Sequence, residues 1–144
     1  MDARAIVDTG FLLALRDRAD SHHGWAVAQA AQIRGPWLTC EGCISEAAFL
    51  FAERLGPATV LELYRQIKRR LILSQHLLPE DLEAVAAETG RYHGRTVDFA
   101  DACLMVLSDR HPRLPVLTTD TADFTVYLRG RPPRSLHTPA KGTT

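Results

Sequence analysis

The stretch from Val97 to Phe124, VDFADACLMVLSDRHPRLPVLTTDTADF, constrains the fold more than any other part of the chain. It reads as a helix, a short loop, a strand and a return loop. Between Ala100 and Leu107 the helix is apolar almost all the way round, the mark of a helix covered on every side. Asp98 and Asp101 nonetheless open it, three residues apart and about 60° from each other around the axis. Asp120 stands just past the apolar strand Pro115-Val116-Leu117-Thr118, with Asp123 three residues on. Carboxylates gathered at a buried helix and a strand end repel one another. A hard divalent cation with oxygen ligands, Mg²⁺ or Mn²⁺, is the usual remedy.

Other acids stand at equivalent places. Ala5-Ile6-Val7 is a continuous apolar strand ending on Asp8, as expected of a central parallel strand. In such sheets ligands bind beyond the carboxyl ends of the strands. Asp8 also precedes a short helix, so N-capping is its other reading. Gly35-Pro36 ends a helix over residues 22–33, and Trp37-Leu38-Thr39 is a second strand. The helix beginning at Ile44 carries Glu46 in its first turn, where the helix dipole favours an acid. Because that helix follows a strand, its head should face the same sheet edge as Asp8. Pro57 starts the next helix at the favoured first position, residues 71–77 form a third strand, and Pro79 to Arg91 an amphipathic helix. A last strand is expected over Phe124–Leu128.

Strands near 4–8, 37–39, 71–77, 115–118 and 124–128, alternating with helices, predict a three-layer α/β/α sandwich around a parallel five-stranded sheet. The 144 residues suit one domain. It is expected over 1–130, with 131–144 as a flexible tail rich in Pro, Arg and Thr.

Composition excludes little. The formal net charge is zero, yet Arg65, Lys68, Arg69 and Arg70 cluster at one helix end, and Arg129, Arg131, Arg134 and Lys141 follow Phe124. The first cluster reads either as solvated surface or as a footprint for a phosphate backbone. No apolar run reaches the ~18 residues of a membrane span. The start Met1-Asp2-Ala3-Arg4 lacks a signal-peptide layout, and three cysteines is an odd number, which together suggest the cytoplasm. Cys40 and Cys43 form a C-x-x-C pair without a second pair or a histidine at ligand spacing, so Cys43 is expected in the core. His22 and His23, adjacent on a helix, point about 100° apart and do not chelate together.

Four pieces match a known pattern in order and spacing: Ile6-Val7-Asp8-Thr9, Ile44-Ser45-Glu46-Ala47, Phe99-Ala100-Asp101-Ala102, and Leu117-Thr118-Thr119-Asp120 with Asp123-Phe124. Over residues 4–128 the chain resembles a PIN domain, most closely a VapC-type toxin ribonuclease of prokaryotic toxin–antitoxin pairs. The resemblance implies metal-dependent hydrolysis of RNA phosphodiester bonds, with Asp8, Glu46, Asp101 and Asp120 holding Mg²⁺ or Mn²⁺. It also implies an antitoxin partner and a homodimer. Thr9 and Thr118 would support the acids. Asp98 reads equally as a ligand or a helix cap, and Asp123 as a supporting acid or a turn residue. Gly10 departs from the pattern, where a hydroxyl or amide residue is common. The same acids would also serve a phosphohydrolase of small phosphate esters, and a non-catalytic interaction module would keep the fold without turnover.

Overall fold

The computed structural model describes residues 2–92, 94, 96–131 and 134–139. Met1, Arg95 and Lys141 lie outside the described residues. In chain order the elements are β1 (Ala5–Val7), α1 (Thr9–Arg16), α2 (His23–Gln32), β2 (Trp37–Cys40), α3 (Glu41–Leu55) and α4 (Pro57–Lys68). There follow β3 (Ile72–Gln75), a 3₁₀ turn at Pro79–Asp81, α5 (Leu82–Arg91), α6 (Phe99–Arg110), β4 (Val116–Leu117), α7 (Thr121–Tyr127) and β5 (Leu136–His137). The strands form one sheet in the order β3-β2-β1-β4-β5, parallel at every pairing.

Strand alternation sorts the core into two layers. Ile6, Leu38 and Val116 face one side, where they meet Val85, Leu104 and Tyr127 of α5, α6 and α7. Ala5, Val7, Ile72 and Leu117 face the other, against Phe11, Ala26, Phe51 and Leu63 of α1 to α4. The sandwich expected from the alternating pattern is the one observed. Among the described residues no helix is long and apolar enough to cross a membrane.

Two expectations are corrected. Residues 124–128 are not a strand, because Asp120 caps a helix that starts at Thr121 and its side chain accepts the Asp123 N–H at 3.0 Å. Phe124 and Tyr127, three apart, are both buried on that helix. The fifth strand is instead Leu136–His137, inside the stretch expected as a tail, in register with Val116 and Leu117. The second correction concerns α3, which starts at Glu41 rather than Ile44. Glu46 therefore stands in the second turn. Gly42 permits the early start: a Cβ there would lie 3.1 Å from the Ala100 Cα, so α3 and α6 touch closely at this point.

Connectivity fixes which end each group occupies. α6 leads directly into β4, so its head lies at the carboxyl edge of the sheet, beside the ends of β1 and β4. α4 leads into β3, so Lys68, Arg69 and Arg70 lie at the opposite edge, exposed. That basic cluster is remote from the acids.

Candidate active site

Each acid is placed by a local reason. Asp8 follows β1 and caps α1, with Oδ1 accepting the Phe11 N–H at 2.8 Å. Its Oδ2 accepts the Thr118 hydroxyl, and the Thr118 oxygen in turn accepts the Asp120 N–H at 2.9 Å. Thr118 thus ties the end of β1 to the loop after β4. Thr9 donates to the Cys43 carbonyl at 3.3 Å, linking α1 to α3. Gly10 has a steric reason: a Cβ there would come within 2.4 Å of the Thr119 Oγ1.

Asp98 caps α6 by accepting the Asp101 N–H at 2.8 Å. Asp101 is half-buried in the first turn, and one of its oxygens accepts the Tyr127 O–H at 3.3 Å. Asp101, Asp120 and Asp123 each offer a carboxylate oxygen within 4.8 Å of the other two. Glu46 is exposed and lines an open cleft of ≈ 660 Å³ with Ser45, Phe49, Asp98 and Phe99. The structure thus brings Asp101, Asp120 and Asp123 into one tight group. Asp8 is coupled to it through Thr118, and Glu46 stands at the rim.

The electrostatics follow from that crowding. Burial, reinforced by Asp120 and Glu46, pushes the Asp8 carboxyl up to about 6, although Thr118 and the Phe11 amide pull the other way. Burial, Asp98, Asp8 and Asp120 push Asp101 up to about 7, against the opposing pull of Tyr127. Burial and the neighbouring Asp101 hold the Tyr127 phenol above its ordinary value, so it stays protonated and donates. Thr118→Val therefore carries a signed expectation: losing that hydroxyl raises Asp8 further. The acid limb of the pH–rate profile should move to higher pH, with activity lost more at pH 6.5 than at pH 8.

Sequence reasoning missed Tyr127 and Arg131. Both lay hidden in a segment read as strand and tail. The available signal was the i, i+3 pair Phe124 and Tyr127 behind an Asp-x-x-Asp cap, which is a helical spacing.

No model of a known protein family matches the chain. Ribonuclease VapC26 of Mycobacterium tuberculosis is 28% identical over 120 residues, which cover 83% of this chain and 88% of that protein. The crystal structure of Mycobacterium tuberculosis VapC20, described as a sarcin-ricin loop cleaving toxin, superposes with a TM-score of 0.76 at 20% identity. That match covers 85% of this chain and 94% of VapC20. The chain has the PIN-like α/β/α fold of that toxin. DNA-bound VapBC from Salmonella typhimurium shares the PIN fold at a TM-score of 0.62 and 12% identity, over 94% of this chain and 98% of that one. FitAcB from Neisseria gonorrhoeae does so at 0.62 and 16%, over 92% and 95%.

Proposed function

We propose that this PIN domain is a metal-dependent endoribonuclease, the toxin of a toxin–antitoxin pair, working in the cytoplasm on RNA phosphodiester bonds. The observation that carries the chemistry is the group Asp101, Asp120 and Asp123 within 4.8 Å, at the sheet edge where β1 and β4 end. Ribonuclease VapC26 supports RNA as the substrate, and the likeness to the VapBC assembly supports a cognate antitoxin as partner. A homodimer is part of the same proposal.

The donor set fits a hard cation: all of its atoms are carboxylate oxygens, and two of the nearby acids, Asp8 and Asp101, are pushed up by burial and by the negative charge of neighbouring acids. Asp101, Asp120 and Asp123 would hold Mg²⁺ or Mn²⁺, with Asp8 and Glu46 adjoining. A divalent ion held there would supply a bound water of lowered pKa and charge stabilisation on the phosphate. Thr118 fixes the Asp8 carboxylate and the Asp120 main chain together. Asp98 and Asp120 spend an oxygen each on helix heads, which orients α6 and α7 toward the site. The open cleft beside Glu46 leaves room for a polymer to pass.

Metal binding should release protons, because Asp8 and Asp101 must be ionised to serve. The Mn²⁺ affinity of the purified protein should therefore fall on the order of 100-fold between pH 8 and pH 5.5. Calorimetry in two buffers of different ionisation enthalpy would check both the affinity and the proton count. The activity itself is tested with a cellular RNA pool and p-nitrophenyl phosphate side by side. Cleavage of RNA alone supports the reading; turnover of the small ester with intact RNA would replace it with a small-molecule phosphohydrolase.

A further inference from the structure

Tyr127 occupies a position that packing alone does not require of a tyrosine. Its side chain is 1% exposed, wedged between Phe124 and Tyr92 at ring-centroid distances of 5.3 and 5.2 Å. A phenylalanine would fill that space. The hydroxyl instead reaches across to α6 and donates to Asp101 Oδ2 at 3.3 Å. The main chain at Tyr127 is also fixed, since its carbonyl accepts the Tyr92 O–H at 3.1 Å and the Arg131 Nε–H at 2.7 Å. Arg131 is itself buried, pairing with Glu88 and Asp109. The phenol thus hangs from an anchored backbone, and its reach is set before it meets the carboxylate.

Asp123 lies four residues before Tyr127, on the same face of α7. One short helix therefore carries both a member of the acidic group and the hydroxyl that grips another member. We propose that Tyr127 is a positioning residue of the acidic site, tying α7 to α6 through Asp101 Oδ2 and so setting the spacing of Asp101 against Asp120 and Asp123. The hydrogen bond removes one oxygen of Asp101 from free rotation and presents the carboxylate in one orientation. Groups of this kind, which orient a metal's ligands without touching the metal, strongly influence affinity. This role rests on the metal-site reading given above.

The test is Tyr127→Phe, with Tyr92→Phe as its control. Tyr92 packs on the Tyr127 ring, and its hydroxyl bonds the Tyr127 carbonyl, Glu88 and Arg131. Mn²⁺ affinity is measured by calorimetry without RNA, and thermal unfolding of both variants is followed in metal-free buffer. Tyr127→Phe should bind Mn²⁺ about 10-fold more weakly, while Tyr92→Phe, which leaves the Tyr127 carbonyl its shorter bond from the Arg131 Nε–H, binds as the wild type does. Raising Mn²⁺ should restore RNA cleavage by Tyr127→Phe, which a purely structural defect would not allow. Wild-type affinity in Tyr127→Phe, or equal weakening in both variants, would overturn the positioning role alone. A wild-type protein that binds no Mn²⁺ would overturn that role together with the metal-site reading.

Discussion

Asp101→Asn should remove cleavage and at the same time make the protein more stable at pH 8. The activity loss is expected to be on the order of 10²–10³-fold, as for a single group that stabilises charge in a reaction. The gain in stability follows from the same crowding. In the folded chain Asp101 is raised from 3.8 to about 7 by burial and by Asp98, Asp8 and Asp120. Between pH 4 and 7 the folded state therefore holds a proton that the unfolded state has released, and stability falls as pH rises through that window. Above pH 7 the penalty is complete. Asparagine keeps the shape and removes the charge. Because Asp101 is only half-buried, the full linkage value must be discounted for solvent screening, leaving about 1–2 kcal/mol at pH 8. The difference from wild type should close as the pH falls toward 4. Urea unfolding at pH 4.5, 6 and 8 would measure it. A variant that loses both activity and stability at pH 8 would contradict this account of the site.

Arg131→Ala should be strongly destabilising, costing about 3–5 kcal/mol. The Arg131 side chain is 3% exposed and joins three elements: it pairs with Glu88 of α5 and Asp109 of α6, and donates to the Tyr127 carbonyl at the end of α7. Its removal leaves Glu88, 8% exposed, as a buried charge without its strongest partner. Tyr92 would lose a donor as well, since Arg131 meets its hydroxyl at 3.0 Å. A double change, Arg131→Met with Glu88→Leu, should recover much of the loss, because replacing a buried ion pair by apolar groups is often neutral. Equilibrium urea denaturation of the three proteins decides it. A loss below 1 kcal/mol in Arg131→Ala would show that the network contributes little.

The acids were legible because topology, not local sequence, places them. Continuous apolar strands at Ala5–Val7 and Val116–Leu117 announce a parallel sheet, and a parallel sheet gathers whatever follows its strands along one edge. Asp8 and Asp120 follow directly. Asp101 required only that its helix lead back into β4. The failures have local causes. Phe-Thr-Val-Tyr-Leu carries β-branched and aromatic residues that favour a strand, but Asp120 supplies a helix cap and burial of Phe124 and Tyr127 on one face wins. Leu136–His137 is a two-residue strand among prolines and arginines, held by pairing with β4 rather than by its own pattern. Glu46 was set a turn too early, since the closeness of Gly42 to Ala100 is a tertiary fact with no sequence signature. Arg131 looked like a tail cation because its partners, Glu88 and Asp109, lie 43 and 22 residues away.

The most direct test is cleavage of an end-labelled RNA pool by purified, partner-free protein as Mg²⁺ or Mn²⁺ is added, removed with EDTA and then restored. Discrete fragments that appear with metal, stop with chelator and resume on its return are the expected result, with Asp8→Asn silent throughout. Fragments that persist in EDTA, or an Asp8→Asn protein that cuts as the wild type does, would contradict catalysis by a metal held in this acidic cluster.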